Sequence, residues 1–307
     1  MTLTMTAKGP EDLLAAVPIV LGFEPEASVV MLTFSGRERL HARVDMPPGR
    51  AEDESTVATL LQPALAHDVD KVAFVLYTAD SGHARRLSRV LLERFGRAGV
   101  EVVDCLRADA GRWYAVGTER PRAPERGTPY DAEGHPFRAQ AVLGGLVTLG
   151  SRAELEASIA VEPAAAALVE AALPAGRALT AAEVVDVVSR GLANGSAGSP
   201  HTVADLLLAL RDPVRRDAAW NGMGREAAPL HVRLWSDVVR RAPQSHVADP
   251  AALLAFSAWL AGHGALGWCA VDRCLGADPG HRLGLLVSRA LEHAVAPSVW
   301  EERRPGM

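Results

Sequence analysis

The sequence predicts two domains of different class. Residues 1–150 read as an α/β domain, a mixed sheet sandwiched by helices, and residues 151–307 as an all-α, partly tetratricopeptide-like helical domain. Three observations predict this. In the first half, short runs rich in β-branched residues alternate with runs of helical period. Beyond Gly150 the strand period stops and helix-start signatures replace it. A chain of 307 residues is also long enough for two cores of ordinary size.

The elements of the first domain follow in order. EDLLAAVPIVLGF reads as a short helix with Glu11 and Asp12 in its first turn, where carboxylates suit the helix dipole, and Gly22 as its C-cap. SVVMLTF, from Ser28, is apolar on both parities and reads as a central strand covered on both faces. In ERLHARVDM, Leu40, Ala42, Val44 and Met46 alternate with Arg39, His41, Arg43 and Asp45, which makes a hairpin with one polar face. Glu54 to Ala66 puts Val57, Leu60, Leu61 and Leu65 at helical spacing. KVAFVLYT is a buried strand, followed from Ser81 by a helix with Leu87, Val90, Leu91, Leu92 and Phe95 toward the sheet. Val100 to Arg107 is the next strand, and ADAG turns the chain back into RWYAV as a second hairpin. Thr118 to His135 has no periodicity and reads as a long loop, lid or linker. Phe137 to Leu149 closes the domain as an apolar helix.

The second domain announces its helices by their starts. SRAE at Ser151 and TAAE at Thr180 are capping boxes, and TVAD at Thr202 has the related form. Asp212, Asp249 and Asp278 each stand before a proline, as an N-cap stands before N1. Six starts imply at least six helices. Ala251 to Gly280 reads as helix, Gly turn, helix. Small residues at Ala255, Gly262, Gly267 and Cys274, with Pro279 after the second helix, resemble one tetratricopeptide unit, although the large aromatic near the start of its first helix is missing. An irregular helical bundle accounts for the same pattern.

The segments DLLAAVPIVLGFEPEASVVML, HARVDMPP, VAFVLYT, DAGRWYAVG, RGTPYD and WLAGHGALGWCAVDRCLGADPG, in this order, resemble an uncharacterised actinobacterial family, the domain-of-unknown-function family numbered 4192. The resemblance covers nearly the whole chain and implies the same fold and boundary. It also implies a cysteine pair between the GRW and GTP segments, where this chain has TERPRAPER, so no metal or redox role carries over. No catalytic residue is implied.

Composition excludes more than it assigns. With 32 basic and 37 acidic residues the net charge is -5, which gives nucleic acid or an anionic membrane no electrostatic footprint. The apolar run from Leu13 is interrupted by Glu24, Pro25 and Glu26, short of the roughly 20 residues that a span needs, and Glu11 and Asp12 stand where a signal peptide would be basic. Cys105, Cys269 and Cys274 are expected to be reduced, buried thiols in a cytoplasmic protein. Neither a metal site nor a cofactor is expected. The histidines show no ligand spacing, and GHGALG follows no strand, so it reads as an inter-helix turn.

Catalytic residues stay unassigned, and the ligand candidates are Asp45, Thr78, Asp80, Arg107, Arg112 and Tyr114. Asp45 ends the polar stripe of the first hairpin, which a solvated edge explains equally. Thr78 and Asp80 follow a strand's carboxyl end, the usual place of ligand contacts, although Asp80 equally suits a helix cap. Arg107 and Arg112 beside Tyr114 have the chemistry to hold a carboxylate or phosphate bidentately, with cross-strand charge pairing as the alternative. Glu24 and Glu26 are expected to be surface charges, the alternative being the rim of a site. The expected function is non-catalytic: a binding or regulatory protein that engages a protein partner through its helical domain. The alternative is a protein, or enzyme, that binds a small anionic metabolite at the strand ends of the α/β domain.

Overall fold

A computed structural model describes residues 5–34, 36, 40–117, 126–143 and 148–303, and divides the chain into two compact units, Met1–Arg152 and Ala153–Met307. The first unit is α/β. Its helices are α1 (Pro10–Leu21), α2 (Asp53–Ala66), α3 (Ser81–Arg97) and α4 (Pro136–Leu143). Its strands are β1 (Ser28–Thr33), β2 (His41–Asp45), β3 (Lys71–Tyr77), β4 (Glu101–Asp109), β5 (Arg112–Ala115) and β6 (Thr128–Pro129). They form one mixed sheet in the order β2-β1-β3-β4-β5-β6, in which β3 and β4 run parallel and the other neighbours antiparallel.

The period of two sorts the strand residues between two cores. Val29, Met31, Val72, Phe74, Leu76 and Cys105 face α2 and α3, where they meet Val57, Leu60, Leu87, Leu91 and Phe95. Phe95 meets Phe74 edge-on with centroids 4.9 Å apart. Val30, Leu32, Ala73, Val75, Leu106 and Ala108 face α1, against Leu13, Leu14 and Val17. Each fully buried leucine or phenylalanine contributes roughly 1.5–3 kcal/mol, so helices on both sides hold the two central strands in place. Gly22, at φ 83, ends α1 as its C-cap. Ala73 pairs with Asp104 where Val102 pairs with Val72, so Val103 bulges from β4 and is 38% exposed.

Two expectations for this unit need correction. The loop from Thr118 contributes a sheet edge, because Thr128 and Pro129 pair with Trp113 and Arg112; its residues 118–125 lie outside the described ones. The helix expected to reach Leu149 is described only to Leu143, and Leu149 instead bridges Phe23 in parallel. Arg39 of the polar stripe also lies outside the described residues.

The second unit is helical: α5 (Arg152–Ser158), α6 (Pro163–Ala172), α7 (Ala181–Asn194), α8 (Pro200–Leu210), α9 (Pro213–Trp220), α10 (Ala228–Arg241), α11 (Ala248–Leu260), α12 (Gly264–Ala277), α13 (Arg282–Glu292) and α14 (Ser298–Arg303). Every residue of α11 from Pro250 to Leu260 is buried, as befits a helix that is apolar all round, and α10, α12 and α13 pack around it. Gly262, at φ 78, turns α11 into α12. A Cβ at Gly267 would meet the Leu291 side chain at 3.3 Å, so this position of α12 packs closely on α13. Trp220, Phe256 and Trp300 stack with centroids 4.9–5.2 Å apart and join α9, α11 and α14. Residues Arg152–Ala175 are apolar and long enough to cross a membrane by length and composition alone, but the helix breaks between Ser158 and Pro163.

Thr180 forms its capping box with Glu183, and Asp212 caps α9 by accepting the N–H groups of Val214 and Arg215. Three other starts lie elsewhere. Ser199 caps α8, with Pro200 at N1 and Thr202 already inside. Asp249 and Pro250 lie within α11, and His281 caps α13 in place of Asp278.

Candidate functional site

Because β3 and β4 are parallel, their carboxyl ends reach the same edge of the sheet, where open α/β sheets hold ligands. A shallow cleft of about 360 Å³ opens there. Tyr77, Thr78 and Ala79 leave β3 along one wall, and Ala108, Asp109 and Ala110 leave β4 along the next. The turn before β1 adds Glu26 and Ala27, and Tyr130 adds a second phenol. Its size suits a small ligand.

Local structure explains how these residues arrive. Ala110 and Gly111, at φ 47 and 70, form the two-residue loop between β4 and β5, with both central residues left-handed as a primed hairpin turn demands. Ala27 is also left-handed, at φ 41. An alanine costs about 1–2 kcal/mol in that region, and two such positions line one cleft. Tyr130 is placed by its N–H bond to the Gly111 carbonyl (3.0 Å) and by β6. Arg112 holds the preceding residues, donating to the carbonyls of Arg126 (2.7 Å) and Gly127 (3.1 Å). Gly127 lies at φ 68 against the ring of Tyr114, where a Cβ would come within 2.6 Å, so only glycine fits.

The charges around the cleft are mostly paired. Arg43 binds Asp45 at 2.6 Å, Arg107 binds Asp109 at 3.0 Å and Arg138 binds Glu24 at 2.9 Å. Glu26 has no ion-pair partner among the described residues. Burial pushes the hydroxyls of Tyr77 and Tyr130 up, and the charge of Glu24 adds to both shifts, so each phenol stays protonated. Asp80 accepts the N–H of His83 at 2.8 Å, which holds its carboxyl below the usual range.

The family described as Domain of unknown function (DUF4192) matches residues 10–298. The chain belongs to this family. Among curated proteins and solved structures, nothing matches it.

In this DUF4192 chain the sheet divides the ligand candidates read from the sequence. Val44 and Met46 pack on the α2 and α3 side, so Asp45 between them points to the α1 side. Arg107, Arg112 and Tyr114 share the parity of Cys105 and its cross-strand partners, and lie on the α2 and α3 side. Asp45 is therefore not brought together with them. Arg107 is 5% exposed, stacks 3.8 Å above the Tyr114 ring and donates to the Thr78 carbonyl at 3.1 Å. It braces the β3 end from beneath and is not among the cleft residues, and Arg112 is engaged with carbonyls. Thr78 lines the cleft, while Asp80 caps α3. Glu26 is exposed, as expected of a surface charge, and also lines the cleft, while Glu24 pairs with Arg138. Tyr77 and Tyr130 were not singled out from the sequence. The only signal for Tyr77 is a polar tip ending a buried strand, and Tyr130 has none beyond its turn.

The remaining polar clusters of the DUF4192 chain act within the fold. His83 meets Asp53 at 3.2 Å between α3 and α2, both side chains less than a tenth exposed. Cys105 and Cys274 are fully buried, and burial pushes both thiols up, Cys274 to about 12, which leaves neither as a thiolate. Among the described residues no group of three His, Cys, Asp or Glu side chains is placed to hold a metal ion.

Proposed function

We propose that this DUF4192 chain is a non-catalytic binding protein that takes a small molecule into the cleft at the carboxyl ends of β3 and β4. The observation that carries this reading is the cleft's place, at the edge where the parallel strands β3 and β4 both have their carboxyl ends, the usual position of ligands in open α/β sheets. The described lining offers hydroxyls and carboxylates, groups that hold a ligand by hydrogen bonds and charge, with no histidine, cysteine or lysine among them. Three free, buried thiols fit a reducing, cytoplasmic compartment. Native mass spectrometry of the purified full chain tests the reading. We expect a small molecule to be retained by the wild type and lost from Ala79→Trp, which fills the cleft from an exposed position. Retention by both proteins, or by neither, overturns it.

A second reading concerns the helical unit. Val161, before α6, and Leu168, on it, are 46% and 61% exposed, apolar side chains that a protein partner could cover. In this reading the α11–α12 pair is a tetratricopeptide-like unit within a partner-binding helical domain. Leu168→Glu is expected to abolish copurification of a partner that Ala79→Trp retains; a partner kept by Leu168→Glu counts against it.

A further inference from the structure

We infer that the ligand of the cleft is a small organic cation, an ammonium group on a short apolar body, in place of the anion that the sequence suggests. This rests on the cleft being a binding site. The argument is one of charge and hydrogen-bonding type. No basic side chain is found among the described lining residues, whereas Glu26 and Asp109 both line it. The three guanidiniums nearby are each engaged: Arg43 with Asp45, Arg107 with Asp109 and Arg138 with Glu24. Pairing these charges leaves Glu26 as the one carboxylate of the set without a cation of its own.

The uncharged groups are compatible with a cation, and the charges decide. The side-chain oxygen of Thr78 accepts the Asp80 N–H at 3.1 Å and keeps a second lone pair that can accept from a ligand. Tyr77 and Tyr130 are neutral phenols that feel the negative charge of Glu24. Phenol oxygens accept hydrogen bonds as well as donate them, and an ammonium has donors only. An anion placed here would face Glu26, while the guanidiniums nearest the cleft, Arg43 and Arg107, are already engaged by Asp45 and Asp109. Ala27, Ala79, Ala108 and Ala110 supply the apolar remainder, which suits a short methylene chain.

Isothermal titration of the full-length protein with putrescine, 1,4-butanediol and glutarate, three probes of similar length and different charge, tests this. We expect putrescine to bind in the millimolar range or tighter, with neither of the others detectable, and Ala79→Trp to remove the binding. Glu26→Gln, at an exposed position that leaves the core intact, is expected to weaken putrescine about five-fold, and added salt to weaken it further. Glutarate or butanediol binding in preference to putrescine, sensitive to Ala79→Trp, overturns the cation and leaves the cleft standing. Putrescine binding that survives Ala79→Trp, an unchanged affinity in Glu26→Gln, or no putrescine binding at all also overturns it.

Discussion

His231 shows how much one residue sets the acid limit of the helical unit. It lies on α10, 4% exposed, with Nδ1 lacking a hydrogen-bond partner among the described residues, and Trp235 one turn later has its indole N–H in the same condition. Burial pushes the imidazole down to about 4. The unfolded chain takes up its proton near pH 6.5 and the folded chain only near pH 4, so the unfolded state binds more protons between those values. Stability is therefore complete above about pH 6.5 and declines as the pH falls toward about 4. From about pH 7 to about pH 5 the predicted loss is on the order of 2 kcal/mol. Urea titrations of the wild type and His231→Leu at the two pH values check this: the loss should shrink by that amount in the variant. An equal loss in both proteins places the acid sensitivity elsewhere.

At the scale of elements, Asp212 and Asp249 look alike in sequence, each standing before a proline, and they do different work. Asp212 is a cap, holding the N–H groups of Val214 and Arg215 at 2.9 and 3.1 Å. Asp249 accepts from Arg216 at 3.2 Å and His281 at 3.0 Å. His281 Nδ1 accepts the Gly284 N–H at 3.2 Å, so its own proton lies on Nε2 and goes to Asp249. One carboxylate thus joins α9, α11 and the start of α13. Asp212→Ala is predicted to cost about 1 kcal/mol, the value of a helix cap. Asp249→Ala, which leaves a largely buried guanidinium with only the more distant, exposed Asp217 carboxylate at 3.9 Å, should cost about 3 kcal/mol. Denaturant melts of the two variants decide; equal losses would show that the Asp249 contacts contribute no more than a helix cap does. The pair also shows what the sequence makes legible. Thr180 and Asp212 are satisfied within one turn of chain, so their roles are written locally. Asp249 takes its role from Arg216, 33 residues before it, and His281, 32 residues after it, and no local signature carries that.

At the scale of the whole molecule, the α/β class and the helical second half follow from periodicity, because a period of two or of 3.6 is set by which face is buried. The central strands β1 and β3 are apolar on both parities, since helices cover both sides of the sheet. β6 was not legible: two residues, one of them proline, pair with β5 because Arg112 and Gly127 hold that segment to Tyr114 and the hairpin. The cleft was legible only in part. Its position after strand β3 follows from the fold, but Glu26, Ala110 and Tyr130 come from three distant turns, and their meeting depends on register. The sheet's two faces also explain why Asp45 and Arg107, both ligand candidates in the sequence, are not brought together.

The central claim is that this strand-end cleft binds a small molecule, and amide chemical-shift mapping of the full chain tests it most directly. A mixture of amine, carboxylate and neutral fragments should perturb the amides of Ala27, Thr78, Ala79, Ala110 and Tyr130, and Ala79→Trp should abolish those shifts. Perturbations confined to the helical unit, or no perturbation at the strand ends, would contradict the account.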